Sequence, residues 1–153
     1  MAIRMIRKGN DEILKEKASQ VKEITPNIIN ILEDMAETMY SKEGIGLAAN
    51  QIGVPKRLVV IDIQDGNLLE LINPEIIDQE GKEVEIEGCL SFPGILGEVP
   101  RATRVVVEAL NREGEKIKLE ANGLLARVLQ HEIDHLEGNL LVDRAVRFLE
   151  EDN

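Results

Sequence analysis

The sequence predicts an α+β fold in which mainly antiparallel β-sheets pack around a central helix. Two segments repeat apolar residues at helical spacing, and the β-branched or alternating runs between them have the length of strands. Helices and strands fall in separate runs rather than in alternating βαβ units, which favours antiparallel pairing. The 153 residues contain no internal repeat and no linker rich in proline, serine or glycine, so we expect one domain over residues 1–153.

The first helices are predicted near the N-terminus. Residues 11–18 are expected to form a short helix. A longer helix should start at Pro26, because Thr25 can cap it and proline suits the first helical position. Apolar residues then recur at helical spacing as far as Tyr40, so this helix should bury one face in the core.

Strand-like runs occupy the middle of the chain. Asn73 and Pro74 interrupt the second run, which predicts a sheet edge or a bend because proline cannot donate to a ladder. In the third run, glutamates alternate with Val84 and Ile86, the period-2 pattern of a half-buried strand. The segment 92–99 is expected to be a loop. The expected strands cover residues 57–64, 68–77, 83–87, 104–110 and 116–120, the last two forming a hairpin.

A second long helix is the predicted centre of the fold. From residue 122 to residue 137 the apolar residues again lie on one side, and Gly138 is placed to end the helix as a C′ glycine. Asp143 can cap a further helix, which we expect to continue to Leu149.

Composition excludes several classes of partner. The formal net charge of −11 disfavours binding to DNA and to anionic membrane surfaces, both of which require many basic residues. No apolar run approaches the roughly 20 residues that cross a bilayer, and the N-terminus lacks the features of a secretory signal. The single cysteine, Cys89, is typical of a reducing compartment. We therefore expect a cytoplasmic protein.

The predicted central helix contains an HExxH motif. His131 and His135 lie four residues apart and therefore share one face of the helix, from which both imidazoles can bind one metal ion. Glu132 would lie beside that ion and act on a bound water. The alternative is a chance pattern of surface or core histidines, although these two are the only histidines in the chain.

A catalytic site of this kind usually has a third protein ligand and an open water position. Cys89 is one candidate, since Gly88 before it allows the backbone to approach a ligand closely. A lone cysteine is also often a small buried hydrophobe. Glu150 and Glu151 are further candidates, although they belong to an acidic tail that suits a solvated surface. Spacing favours Cys89 without deciding between them.

Three segments resemble the signature motifs of the peptide deformylase family. They are GIGLAANQ at residues 44–51, EGCLS at residues 87–91 and QHEIDH at residues 130–135, in the order and at the separations of the family. The similarity extends over about residues 4–144. It implies a bacterial cytosolic hydrolase that removes the N-formyl group from the formylmethionine of nascent polypeptides and releases formate.

The resemblance also implies a metal site and roles around it. Cys89, His131 and His135 would bind one divalent ion, Fe²⁺, which Zn²⁺ or Ni²⁺ can replace. A metal-bound water would attack the formyl carbon, with Glu132 as general base and then acid. The side-chain amide of Gln51 and the backbone N–H of Leu90 would donate to the oxyanion. From the residues alone, a polar residue of a surface loop is the better interpretation of Gln51.

Substrate and supporting residues follow from the same resemblance. Glu87 and Asp134 adjoin the ligand positions, and we expect Arg101 to pair with one or both and to fix the Cys89 loop on the helix. The alternative is three ordinary exposed charges. The substrate would be bound by Ile45, Gly46, Ile86, Leu125, Val128 and Leu129, and the last four of these would line an apolar pocket for the methionine side chain.

Two other functions fit the HExxH motif. One is a metallohydrolase that cleaves peptides internally and uses a glutamate as third ligand; the other is a non-catalytic binding module with a closed, structural metal site. Loss of metal on replacing Cys89 with serine separates the deformylase from the first alternative. The ribosome would be a transient partner, although the short acidic tail makes docking through a C-terminal helix, which some family members have, doubtful.

Overall fold

The computed structural model of the protein describes residues 2–150, with the backbone alone at Glu150. The helices are a 3₁₀ helix at Glu12–Lys15, α1 at Pro26–Ser41, a 3₁₀ helix at Ala49–Ile52, α2 at Gly123–Leu136 and α3 at Leu141–Arg144. The strands are β1 at Gly46–Ala48, β2 at Leu58–Ile61, β3 at Leu69–Glu80, β4 at Glu83–Gly88, β5 at Ile95–Arg101, β6 at Arg104–Leu110, β7 at Lys116–Asn122 and β8 at Arg147–Glu150.

Two antiparallel sheets form the β layer. The larger has the strand order β1-β2-β3-β6-β7, and the smaller has the order β4-β5-β8. Strand β2 is buried along its length, and its alternate residues face opposite sides of the larger sheet. Leu58 and Val60 pack in the cluster that contains the α1 residues, whereas Val59 and Ile61 pack in the cluster with α2. This arrangement confirms the predicted α+β class with α2 at its centre.

The capping signals of both long helices are present. The Thr25 hydroxyl accepts a hydrogen bond from the Ile28 amide at 3.3 Å, and Pro26 is the first residue of α1. Gly138 follows the end of α2 with a φ of 78°, a left-handed conformation that favours glycine. Both helices end within a residue or so of their predicted limits, because a cap and an apolar stripe specify the same segment. The short helix expected at residues 11–18 is one 3₁₀ turn.

The Asn73-Pro74 interruption is a bend in the middle of a sheet. The pairing of β3 with β6 shifts register between Ile72 and Glu75, and Asn73 has a φ of 54°. Its side chain bonds the amide and the carbonyl of Val21, at 2.8 and 2.9 Å. The prediction of a bend is confirmed, while the alternative of an edge strand is wrong because β3 lies between β2 and β6.

The smaller sheet corrects three predictions. The expected loop at residues 92–99 contains most of β5, and the expected helix from Asp143 to Leu149 stops at Arg144, after which β8 pairs with β5. Both segments gain backbone hydrogen bonds from distant strands, which local propensity does not report. Strand β4 does not bury its apolar residues: Val84 and Ile86 are 48% and 55% exposed, and the buried residue is Glu87.

Candidate metal centre

Three side chains with metal-binding atoms meet where the smaller sheet reaches α2. Cys89 follows β4, and His131 and His135 lie one turn apart on α2. Their ligand atoms all lie within 4.8 Å of one another, and Cys89 Sγ is 3.4 Å from His135 Nε2. A thiolate with two imidazoles suits a borderline transition metal such as Zn²⁺ or Fe²⁺. Of the described residues, no other His, Cys, Asp or Glu joins this group.

Buried polar atoms around this cluster support a metal or water there. Among the described residues, Glu132 Oε1 and His135 Nδ1 are buried without a hydrogen-bond partner. Such atoms are costly unless a partner is present. His131 Nδ1 lies 2.9 Å from Glu87 Oε1. When Nδ1 donates a hydrogen bond to this carboxylate, Nε2 has a free electron pair with which it can bind a metal ion. The residues therefore fit a mononuclear site.

Burial and neighbouring charge separate the proton affinities of the carboxyl groups. Burial raises the pKa of Glu132 to about 7, so this group can hold or release a proton near neutrality. Burial also favours the neutral form of Glu87, but hydrogen bonds from Arg101 and His131 outweigh it and lower the pKa of Glu87 to about 2. Glu87 therefore remains an anionic acceptor.

The pKa values of His131 and His135 are shifted in opposite directions. Burial opposes a charge on His131, yet Glu132, Cys89 and Glu87 raise its pKa well above the usual value. Burial, with the positive charge of its neighbours, holds the pKa of His135 well below that value. Neighbouring charge therefore favours the protonated form of His131, and burial favours the neutral form of His135.

Gln51 is held with its amide group toward the cysteine. It is 1% exposed on the second 3₁₀ helix, and its Oε1 accepts from the Ala48 amide at 3.0 Å. Its Nε2 donates to Ser91 Oγ at 3.1 Å and approaches Cys89 Sγ at 3.6 Å. Because the oxygen is occupied by the backbone, the amide is oriented to donate into the site.

Ion pairs surround the ligands. Arg101, with 4% of its side chain exposed, donates through Nε and Nη2 to both oxygens of Glu87 at 2.9 Å, and through Nη1 to Asp134. Arg144 also donates to Asp134, at 3.1 Å. The structure thus brings Arg101 to both carboxylates that the sequence offers as its partners. Arg127, which was not predicted from the sequence, also contacts Glu87; its position four residues before His131 was the available signal.

A cavity of about 590 Å³ opens onto this site. Its lining includes Ile45, Gly46, Ile86, Leu90 and Val128, together with Gln51, Cys89, His131 and Glu132. At Gly46 a Cβ atom would lie 2.6 Å from Glu132 Oε2, so a side chain there would displace the carboxylate.

The structure corrects two of the expected pocket residues. Leu125 and Leu129 pack in the core against the larger sheet, whereas Leu124 and Arg127 line the cavity beside Val128. The reason is helical geometry, since residues 124, 127, 128 and 131 are spaced as i, i+3, i+4 and i+7 and share one face.

The other functions considered from the sequence gain no support. The side chains of Glu150 and Glu151, the other candidates for a third ligand, lie outside the described residues. A closed structural site needs a fourth ligand, and the described residues supply three.

The fold and site define a class: a hydrolase with an HExxH helix and a possible metal site formed by two histidines and one cysteine. The family model described as polypeptide deformylase matches residues 3–150. The chain belongs to the polypeptide deformylase family, whose members are enzymes that remove the formyl group from nascent polypeptides.

Relatives and solved structures agree with this membership. The chain is 60% identical to a peptide deformylase of Acetivibrio thermocellus over 99% of this chain and 89% of the relative. It is 59% identical to one of Thermoanaerobacter pseudethanolicus, over 99% and 95%. The crystal structure of peptide deformylase from Thermotoga maritima superimposes with a TM-score of 0.93 at 41% identity, over 96% and 100% of the chains. A deformylase from Synechococcus elongatus in complex with actinonin gives 0.90 at 42% identity, over 93% and 78%.

Within residues 2–150, the helices are too short or too polar to cross a bilayer.

Proposed function

We propose that Cys89, His131 and His135 hold one divalent metal ion in a single catalytic domain, and that Glu132 transfers the proton in deformylation. The observation that supports this most is the convergence of the three ligand atoms within 4.8 Å beside the unpartnered Glu132 Oε1. Ferrous iron is the proposed cellular ion, with Zn²⁺ or Ni²⁺ as replacement. A thiolate ligand to iron is sensitive to oxidation, which agrees with the bacterial cytosol as location.

A divalent ion in this site supplies Lewis-acid activation of water and of the formyl oxygen. Protein residues transfer the proton and stabilise the developing charge. Glu132 accepts a proton from the attacking water, and its pKa of about 7 suits this transfer at neutral pH. Attack on the formyl carbon places charge on its oxygen, toward which the Gln51 amide and the Leu90 backbone N–H donate. The C–N bond then breaks, Glu132 returns the proton to the leaving amine, and formate departs.

We propose that the cavity orients a formylmethionyl peptide. Strand β1 is the terminal strand of the larger sheet, so its outer edge can pair with an extended substrate backbone at Ile45 and Gly46. Ile86 and Val128 offer apolar surface for the methionine side chain. We infer that backbone pairing fixes the scissile bond and that the apolar wall selects the first residue.

The proposed partners are few. Formylated nascent peptides are the substrates, and a transient contact with the ribosome would deliver them. The net charge of −11 supports our proposal that membranes and DNA are not partners. The acidic residues after Glu150 lie outside the described residues.

The decisive experiment is formate release from a formyl-Met-Ala peptide by protein purified without oxygen and reloaded with iron. We expect turnover by the wild-type protein and none by a Glu132→Gln variant of equal iron content. The absence of formate from wild-type protein with full iron occupancy would overturn the proposal.

A further inference from the structure

Arg127 lies at the junction between the metal-binding helix and the smaller sheet. It is four residues before His131 on α2, so the two side chains lie on the same face of the helix. Only 11% of its side chain is exposed, and part of it lines the cavity. A buried arginine beside a metal site needs partners for its charge.

The partners of Arg127 lie on two strands of the smaller sheet. Nη1 donates to Glu87 Oε2 and, at 2.8 Å, to the carbonyl oxygen of Val99 on β5. Nη2 donates to the carbonyl oxygen of Glu83, at the start of β4, at 2.8 Å. One guanidinium from α2 therefore joins the first residue of β4, the carboxylate near its end and the neighbouring strand.

The apolar side chains of β4 and β8 contribute little along this junction. On β4, Val84 and Ile86 are 48% and 55% exposed, and on β8, Phe148 is 53% exposed. The small apolar cluster that contains Leu14 and Phe92 packs against Cys89, beyond the end of β4. The face of β4 directed at α2 is instead joined to the helix by charged hydrogen bonds.

Arg101 alone does not hold this strand. It binds Glu87 and Asp134, both of which adjoin metal ligands in the sequence, and so fixes the end of β4 that leads into Cys89. Arg127 reaches the opposite end through Glu83 and approaches Glu87 from the helix. Two separated attachments define the direction of a strand, whereas one allows it to pivot.

We propose that Arg127 is a positioning residue that fixes the smaller sheet on α2 and so sets the place of Cys89 relative to His131 and His135. The inference rests on the proposed metal site, and it adds a residue that touches none of the reacting atoms. Outer partners of metal ligands typically alter metal affinity by about 10–100-fold when they are removed. Arg127 acts through the strand that leads to the ligand loop, so we expect an effect in this range.

The test is the rate at which excess EDTA removes zinc from the loaded protein. Arg127→Met keeps the unbranched apolar stem that lines the cavity and deletes all donors. We expect it to release zinc about 10–100-fold faster than the wild type. Arg112→Met is the matched control, because Arg112 makes a two-point pair with Glu70, at 2.7 Å each, on the larger sheet away from the metal ligands. It should release zinc at the wild-type rate.

A second variant covers the case in which Arg127→Met does not fold. Arg127→Lys keeps the charge and the stem, but a single ammonium group cannot reproduce the planar fork that reaches three acceptors. Its zinc release should fall between the wild type and the methionine variant. In the cobalt-loaded proteins, the sulfur-to-metal absorption band should change with Arg127→Met or Arg127→Lys and not with Arg112→Met.

Wild-type zinc release by either Arg127 variant, or an unchanged cobalt band in both, would overturn the inference. Zinc release does not depend on turnover, so its outcome is separate from the formate assay that tests the proposed function. Equal acceleration by Arg112→Met would also overturn it, since the effect would then be one of general stability.

Discussion

Replacing Arg101 with methionine should destabilise the fold as well as the metal site. Arg101 makes three hydrogen bonds to two carboxylates whose side chains are 7% and 16% exposed. Removing one partner from a buried ion pair costs about 3–5 kcal/mol. Here neither carboxylate is left alone, because Glu87 keeps Arg127 and Asp134 keeps Arg144. We therefore expect the lower end of that range.

About 3 kcal/mol corresponds to a fall in the melting temperature of about 6–12 °C, since a chain of this length loses about 2–4 °C per kcal/mol. The measurement is thermal unfolding of the metal-free proteins, which removes the contribution of bound metal to stability. Arg104→Met is the control, because Arg104 pairs with Asp78, Glu80 and Glu120 on an exposed surface and should change little. A fall no larger than that of the control would refute the reasoning, because it would mean that the Arg101 pairs add nothing in the folded state.

Four further predictions concern the site and the N-terminal segment. Cys89→Ser should lose most of its bound metal in elemental analysis, and full occupancy would exclude Cys89 as a ligand. Glu132→Gln should keep its metal and lose nearly all formate release, because the proton acceptor is gone. Gln51→Leu should lower kcat by about 10²–10³ with metal retained, whereas a change in KM alone would place Gln51 in substrate binding. Burial opposes charge on Asp34, but hydrogen bonds from the Ala2 amide and from Arg4 hold its pKa below 3.8. The stabilising effect of the Asp34 carboxylate is therefore present above that pH, and it is lost as the pH falls through the lower pKa of the folded state. In acid denaturation, Asp34→Asn should therefore show a shallower loss of stability below about pH 4 than the wild type, and parallel curves would contradict this.

The predictable parts of the fold are the helices whose capping residues lie at the ends of their apolar stripes. Thr25 and Pro26 start α1 where the apolar stripe begins, and Gly138 ends α2 where its stripe stops. The HExxH spacing places two imidazoles together on any helix, so this part of the site follows from geometry alone. The position of Cys89 could not be predicted from local geometry, because its approach to α2 depends on long-range pairing of strands.

The wrong predictions about strands concern the smaller sheet. Alternation in residues 83–87 predicts that Val84 and Ile86 face a core, yet the face of β4 that is buried meets charged side chains. A period-2 pattern identifies which residues share a face and does not identify which face is buried. Strand β8 was missed because it pairs with β5, which is far away in the sequence. Strand β5 was missed although it pairs with the preceding strand β4, because Gly97 and Pro100 weaken its local strand signal.

The buried charges beneath β4 explain how a weakly apolar sheet can hold a metal ligand in place. An ion pair in the interior adds little net stability compared with apolar packing, since desolvation offsets its attraction. It nevertheless penalises misplacement severely, because a displaced partner leaves a buried charge unpaired. A slip of β4 by one residue would turn Glu87 away from Arg101 and Arg127 and present Ile86 or Gly88 to two arginines. The register of β4, and therefore the position of Cys89 against α2, is thus fixed by charge where apolar packing would tolerate more than one arrangement.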